Sequence, residues 1–246
     1  MQRNIKSLIG YGMEATDGDI GKVEEFYFED TTWLIRYLIL KTGNWFLYRE
    51  VLISPQAIVN KYKAPGLFAV NLSKEQIRTS PDIDTDKPVS RQQDMQLYGH
   101  YAWQRYGGSG FYAGGSAVMD GDPIIDEKIM KESDPKDKRN DDDVHLRSTK
   151  KIIGYHIHAS DGDFGHVSDF IFDDANWQII YLVVDSHSWF GGKQFLIETG
   201  TIKEIEWENS KVILDLSTDG IKDCQLYDES QFKPSQNVSA PLGRSL

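Results

Sequence analysis

The sequence predicts a mostly β protein: two small β-barrels from an internal duplication, with a short helix in the linker between them. Three observations predict it. The 246-residue chain matches itself, without a gap, at a displacement of 144 residues. Each copy carries an Asp-Gly dipeptide at the same place, Asp17-Gly18 and Asp161-Gly162. Each then runs into an apolar stretch of strand length, Ile35 to Leu40 and Ile179 to Val184.

The repeat begins at Gly10-Tyr11, which meets Gly154-Tyr155. Ala15, Asp17, Gly18, Asp19 and Gly21 meet Ala159, Asp161, Gly162, Asp163 and Gly165. Val23, Phe26, Phe28 and Asp30 meet Val167, Phe170, Phe172 and Asp174, and Trp33, Ile35, Tyr37 and Leu38 meet Trp177, Ile179, Tyr181 and Leu182. Trp45-Phe46 meets Trp189-Phe190, Leu52-Ile53 meets Leu196-Ile197, and Leu72-Ser73 meets Leu216-Ser217. So long a register is the mark of duplication.

Within each copy the elements read as strands. Asp-Gly is a hairpin dipeptide, because glycine accepts positive φ and aspartate tolerates it. The flanking stretches are aromatic and β-branched, as strands prefer. Leu67 to Leu72 and Lys211 to Leu216 form the matching later strand. Short strands with turn signals every ten residues or so suit a small barrel, which also removes exposed edges. The pattern divides the chain into a first barrel at 1–80, a linker at 81–148, a second barrel at 149–228 and a flexible tail at 229–246.

The linker breaks the repeat. Ser90-Arg91-Gln92-Gln93 has the form of a capping box and predicts a short helix from Arg91 to Tyr98. The following segment is crowded with aromatic residues and glycine. Tyr98, Tyr101, Trp103, Tyr106, Phe111 and Tyr112 are the candidate partner-binding residues, since aromatic side chains anchor interfaces. The same residues can instead pack onto one of the barrels. From Asp120 to Asp143 the composition is that of a disordered acidic stretch.

The net charge is −11 and unevenly spread. Acidic and basic residues number 9 and 10 over residues 1–80, but 15 and 7 over 151–246. An acidic surface repels phosphate backbones, which argues against direct nucleic-acid binding. No apolar run approaches the length of a membrane helix. The N-terminal residues lack the apolar core of a signal peptide, and the single cysteine, Cys224, rules out an intramolecular disulfide. The expected location is therefore the cytoplasm, with the surface of the inner membrane as the variant a membrane partner implies.

Candidate chemistry is sparse. Asp17 with Asp19, and Asp161 with Asp163, have the spacing of a tight turn rather than of an acid–base pair. His156 and His158 share a strand face and are the candidate metal ligands. With a two-residue turn at Asp161-Gly162, Ile157 is expected opposite His166, which puts His166 on the other face; a bulge would reverse this. Copy one has Gly12, Glu14 and Lys22 at these three positions. Cys224 has no neighbouring histidine or cysteine, and Gly107-Gly108-Ser109-Gly110 lacks the lysine of a phosphate loop. The sequence thus reads as non-enzymatic, with no cofactor.

The order Asp-Gly-Asp-x-Gly-x-Val, Phe-x-Phe, Trp-x-Ile-x-Tyr-Leu, Trp-Phe and an apolar Leu-Ile strand, occurring twice, resembles the PRC-barrel domain. The resemblance covers roughly residues 5–80 and 149–228. It implies a non-catalytic module that docks on other proteins. Two relatives set the expectations. One is the cytoplasmic barrel of the photosynthetic reaction centre H subunit, which packs on membrane partners and supports proton transfer to a quinone site. The other is a ribosome-maturation factor that docks on a ribosomal protein. The implied partner is a protein: a membrane complex, a ribosomal protein or a second copy of this chain.

Overall fold

The structure, a computed structural model, describes residues 1–44, 49–80, 100–101, 146–187 and 192–232. It is mostly β. The first half contributes β1 (Gln2–Asn4), β2 (Gly12–Ala15), β3 (Gly18–Glu29), β4 (Leu34–Thr42), β5 (Glu50–Ile53), β6 (Ile58–Ala64), β7 (Leu67–Val70) and helix α1 (Lys74–Arg78). The second contributes β8 (Leu146–Ser148), α2 (Thr149–Ile152), β9 (His156–Ala159), β10 (Gly162–Asp173), β11 (Gln178–Ser186), β12 (Gln194–Glu198), β13 (Ile202–Glu206), β14 (Lys211–Leu214) and α3 (Thr218–Lys222). Both ends of β3 and β10, of β4 and β11, and of β7 and β14 are 144 residues apart.

Each half uses the same local chemistry. A tight turn joins β2 to β3 and β9 to β10, and β7 and β14 then pair in parallel with β2 and β9. Ser73 opens α1 with a capping box closed by Gln76, and the Ser217 hydroxyl caps α3. The long strands β3 and β10 each carry two irregularities at matched places, Val23/Glu25 and Tyr27/Phe28, and Val167/Asp169 and Ile171/Phe172. A bulge adds a residue and reverses which face the following side chains occupy. That is why Val167 faces the main core while Asp169 and Ile171 face away from it.

The two expected barrels do not stand apart as independent sheets. The described strands make one curled 14-stranded sheet, in which the path β13-β14-β9-β10-β11 continues directly into β4-β3-β2-β7-β6. The physical cause lies at Trp33 and Trp177, which adopt left-handed backbone angles, φ 60° and 62°. Each tryptophan turns its carbonyl toward the other half. Ile179 N–H donates to Trp33 O (2.8 Å) and Ile35 N–H donates to Trp177 O (2.9 Å). One apolar core accordingly runs through both halves, from Phe26, Phe28 and Tyr37 to Phe164, Phe170 and Phe172.

Two boundaries also differ from expectation. Leu146–Ser148, expected in the linker, is a strand. Residues 229–232, expected in the loose tail, form a 3-10 turn at Glu229–Gln231, and Phe232 is buried. An apolar sheet face captures them: Ile171, Val183 and Leu196 lie beneath Phe232, which stacks on Tyr227 at 5.5 Å. The expected helix at Arg91–Tyr98 and the acidic stretch Asp120–Asp143 lie outside the described residues, as do Trp45-Phe46 and Trp189-Phe190.

Gly165 shows how tightly the strands cross. It pairs with Ser186, and a Cβ there would overlap the carbonyl of Asp185. Backbone cannot yield as a side-chain tip does, so Gly165→Ala should cost about 1–3 kcal/mol. The denaturation midpoint should fall at unchanged slope. Gly200→Ala, where a Cβ meets nothing, should leave the midpoint where it is.

Candidate functional site

The most elaborate arrangement of polar groups lies where the two halves meet. β1 pairs with β10 of the second half, and β8 pairs with β3 of the first. Each half thus lends its opening strand to the other, and each loan is fastened by an ion pair. Arg3 Nε donates to Asp174 Oδ2 at 2.9 Å, and Arg147 Nε donates to Asp30 Oδ2 at 2.9 Å. The N-terminal ammonium adds a bond to Asp174 at 2.8 Å, which raises its pKa. Between the two ion pairs the aromatic contacts cross in the same reciprocal way, Phe26 to Phe172 and Phe28 to Phe170.

Two carboxylates sit under these exchanged segments. Asp169 is buried, and its Oδ1 accepts the N–H of Phe170 (2.8 Å) and of Lys6 (3.2 Å). Burial pushes its pKa up to about 6, against the lowering effect of those N–H donors, the Lys6 charge and the Asn4 amide. Asn4 Nδ2 also donates to the Tyr227 hydroxyl at 3.0 Å, while Asn4 Oδ1 is buried without a hydrogen-bond partner among the described residues. The Tyr227 hydroxyl is pushed up to about 12, first by burial and then by the Asp169 charge. Glu25 holds the matching place in the first half. It accepts the Ser148 hydroxyl at 3.1 Å, and burial raises its pKa as well.

The histidines are arranged differently from the expectation. The turn residues are Ser160 and Asp161, so Ala159 faces Gly162 and His158 faces Asp163. A bulge between Asp163 and Gly165 then brings His166 directly opposite His156. The expected pairing of Ile157 with His166 is therefore wrong, and His156, His158 and His166 share a face. His158 Nδ1 lies 2.8 Å from Asp163 Oδ1 and holds that carboxyl below its ordinary pKa; His166 Nε2 lies 3.5 Å from Asp185 Oδ2. Among the described residues no group of three or more potential ligands is placed to hold a metal ion. His156 is exposed and His158 half-buried.

The remaining candidates have local work. Asp17 accepts the N–H of Lys74 at 2.8 Å, and Asp161 accepts the N–H of Thr218 at 2.7 Å. Each thereby ties the turn to the first residue of a helix, and that bond lowers the Asp161 pKa. The Cys224 thiol is pushed up by burial and by the nearby Glu198 and Asp223, the opposite of an activated nucleophile. Tyr101 is buried in the core cluster, 6 % exposed, so its ring is not offered to solvent. Tyr98, Trp103, Tyr106, Phe111 and Tyr112 lie outside the described residues.

Glu25 and Asp169 were not among the candidates. The signal was present: a carboxylate inside each long apolar strand, followed at once by Phe26 or Phe170. Without knowledge of the bulges, such a residue reads as the solvent side of an alternating strand.

No helix among the described residues is long and apolar enough to cross a membrane. Residues 147–221 match the PRC-barrel domain, so the second half holds one such domain. A search of curated proteins finds no match to the chain.

Proposed function

We propose that the chain is a non-catalytic protein-interaction or assembly module, built from a duplicated PRC-type unit. The observation that carries this reading is the reciprocal junction. The two halves exchange strands, ion pairs and aromatic contacts at a constant offset of 144 residues, as two copies of one unit do. Such a junction fixes two related but chemically different surfaces in one body. The first carries Glu14 and Lys22 where the second carries His158 and His166. Surfaces that differ over a shared scaffold suit recognition, because binding specificity lies in what a scaffold displays. The PRC-barrel match at 147–221 supports the same reading, since that domain often serves as an interaction module.

Affinity capture with the full chain from native lysate tests it. A reproducible protein partner, or a defined self-assembly in solution, is the expected result. A strictly monomeric chain that recovers nothing reproducible counts against it.

Two narrower forms rest on the resemblance alone. Support of electron and proton transfer at a photosynthetic membrane complex predicts co-purification with a reaction centre, and a non-photosynthetic source removes it. Docking on a ribosomal protein predicts co-sedimentation with ribosomal subunits.

A further inference from the structure

We propose that Asp169 makes the junction between the halves responsive to protons: ionisation of its carboxyl loosens the N-terminal segment, residues 2–8, from the second half. This holds whether or not the chain is an interaction module.

The geometry places Asp169 on the sheet face turned away from the main core, beneath that segment and beside the C-terminal one. On β11 its cross-strand partner is the buried Val183. From the N-terminal segment it meets the Lys6 N–H and charge and the Asn4 amide. From the C-terminal segment it feels Tyr227, beside which stand Asp228 and Glu229. Lys6 is a cation acting on it from these neighbours, and the apolar surroundings set against that cation prevail. A neutral Asp169 also carries an O–H, a donor of the kind that the buried Asn4 Oδ1 lacks. An ionised Asp169 has no such donor and is stripped of water.

The sign follows from linkage. Opening the segment admits water to Asp169, whose pKa then falls from about 6 toward the free value of 3.8 as the burial that raises it is lost along with the weaker lowering contacts of Lys6 and Asn4, so the closed segment binds more protons than the open one between those values. Closure is therefore favoured most below pH 4, weakens as pH rises through 6 and is level above it. The shift limits the effect to roughly 100-fold in the opening equilibrium. Glu25 stands in the same relation to the segment at 146–152, facing Ser148, the Lys150 charge, Tyr27 and the like charge of Glu50.

Hydrogen exchange on the full chain tests the proposal, with protection of residues 2–8 measured from pH 4.5 to 8 and corrected for intrinsic rates. Protection should fall by up to about 30-fold across that range, the rest of the effect lying below pH 4.5. In Asp169→Asn, whose Oδ1 can keep the Lys6 and Phe170 bonds, the fall should vanish, while residues 146–152 keep their own pH response. PH-independent protection in the unaltered chain, or an undiminished fall in the variant, overturns it. Carbon NMR of the Asp169 carboxyl serves if the variant does not fold: titration at the ordinary aspartate value also overturns it.

Discussion

Trp177→Ala should lower stability by about 3–5 kcal/mol, among the largest losses a single substitution can cause here. Trp177 is 4 % exposed, stacks on Phe172 at 5.4 Å and reaches Phe68 of the first half at 6.5 Å. The substitution leaves a cavity at the one place where β11 and β4 join the two halves of the sheet. The backbone gives the prediction a second part. Alanine at φ 62° keeps the cost of a left-handed conformation, about 1–2 kcal/mol, whereas glycine does not. Trp177→Gly should therefore be the more stable of the two variants, although it removes one carbon more. Chemical denaturation of both variants checks the ranking. Trp33→Ala should cost less, because Trp33 is only partly buried, although it stacks on Phe28 in the same way.

These tryptophans also show what the sequence could and could not convey. Their matched positions among apolar neighbours are those of core residues, and the structure places both against the core. Their left-handed backbone was not legible, because nothing in a tryptophan announces positive φ. Without it the halves read as two closed barrels, and the junction between them was invisible. The same holds for Gln2–Asn4 and Leu146–Ser148. Three residues are too few to show a period, so the exchanged strands read only as part of the first barrel and as linker. At the histidines the local rule was right in kind, since a bulge does govern the register. The turn lies at Ser160-Asp161 instead of Asp161-Gly162, which shifts the pairing by two residues and keeps the face, and the bulge between Asp163 and Gly165 then shifts it by one and brings His166 to the face of His156.

Asp174→Ala should cost about 3–5 kcal/mol, because it strands a cation more than it deletes a bond. The Arg3 side chain is 5 % exposed and that of Asp174 is 12 % exposed, so removal of the carboxylate leaves the guanidinium in a site built to neutralise it. The N-terminal ammonium loses its 2.8 Å bond at the same stroke, though it keeps its bond to Asp173 at 2.9 Å. The first-half counterpart offers the natural control. Arg147 pairs with Asp30 at the same distance but also lies over the Trp207 ring, 3.9 Å from its centroid. That face holds part of the charge by cation–π attraction, so Asp30→Ala should cost less than Asp174→Ala. Replacing both partners apolarly, Arg3→Met with Asp174→Leu, should recover most of the loss, since no buried charge is then left unpaired. Denaturation midpoints of the three variants check the order. If Asp30→Ala proves as costly as Asp174→Ala, the Trp207 contact adds nothing and the two fastenings are energetically equivalent. If the paired apolar replacement fails to recover stability, the ion pair contributes more than relief of its own desolvation, and the exchanged strand depends on charge to stay in place.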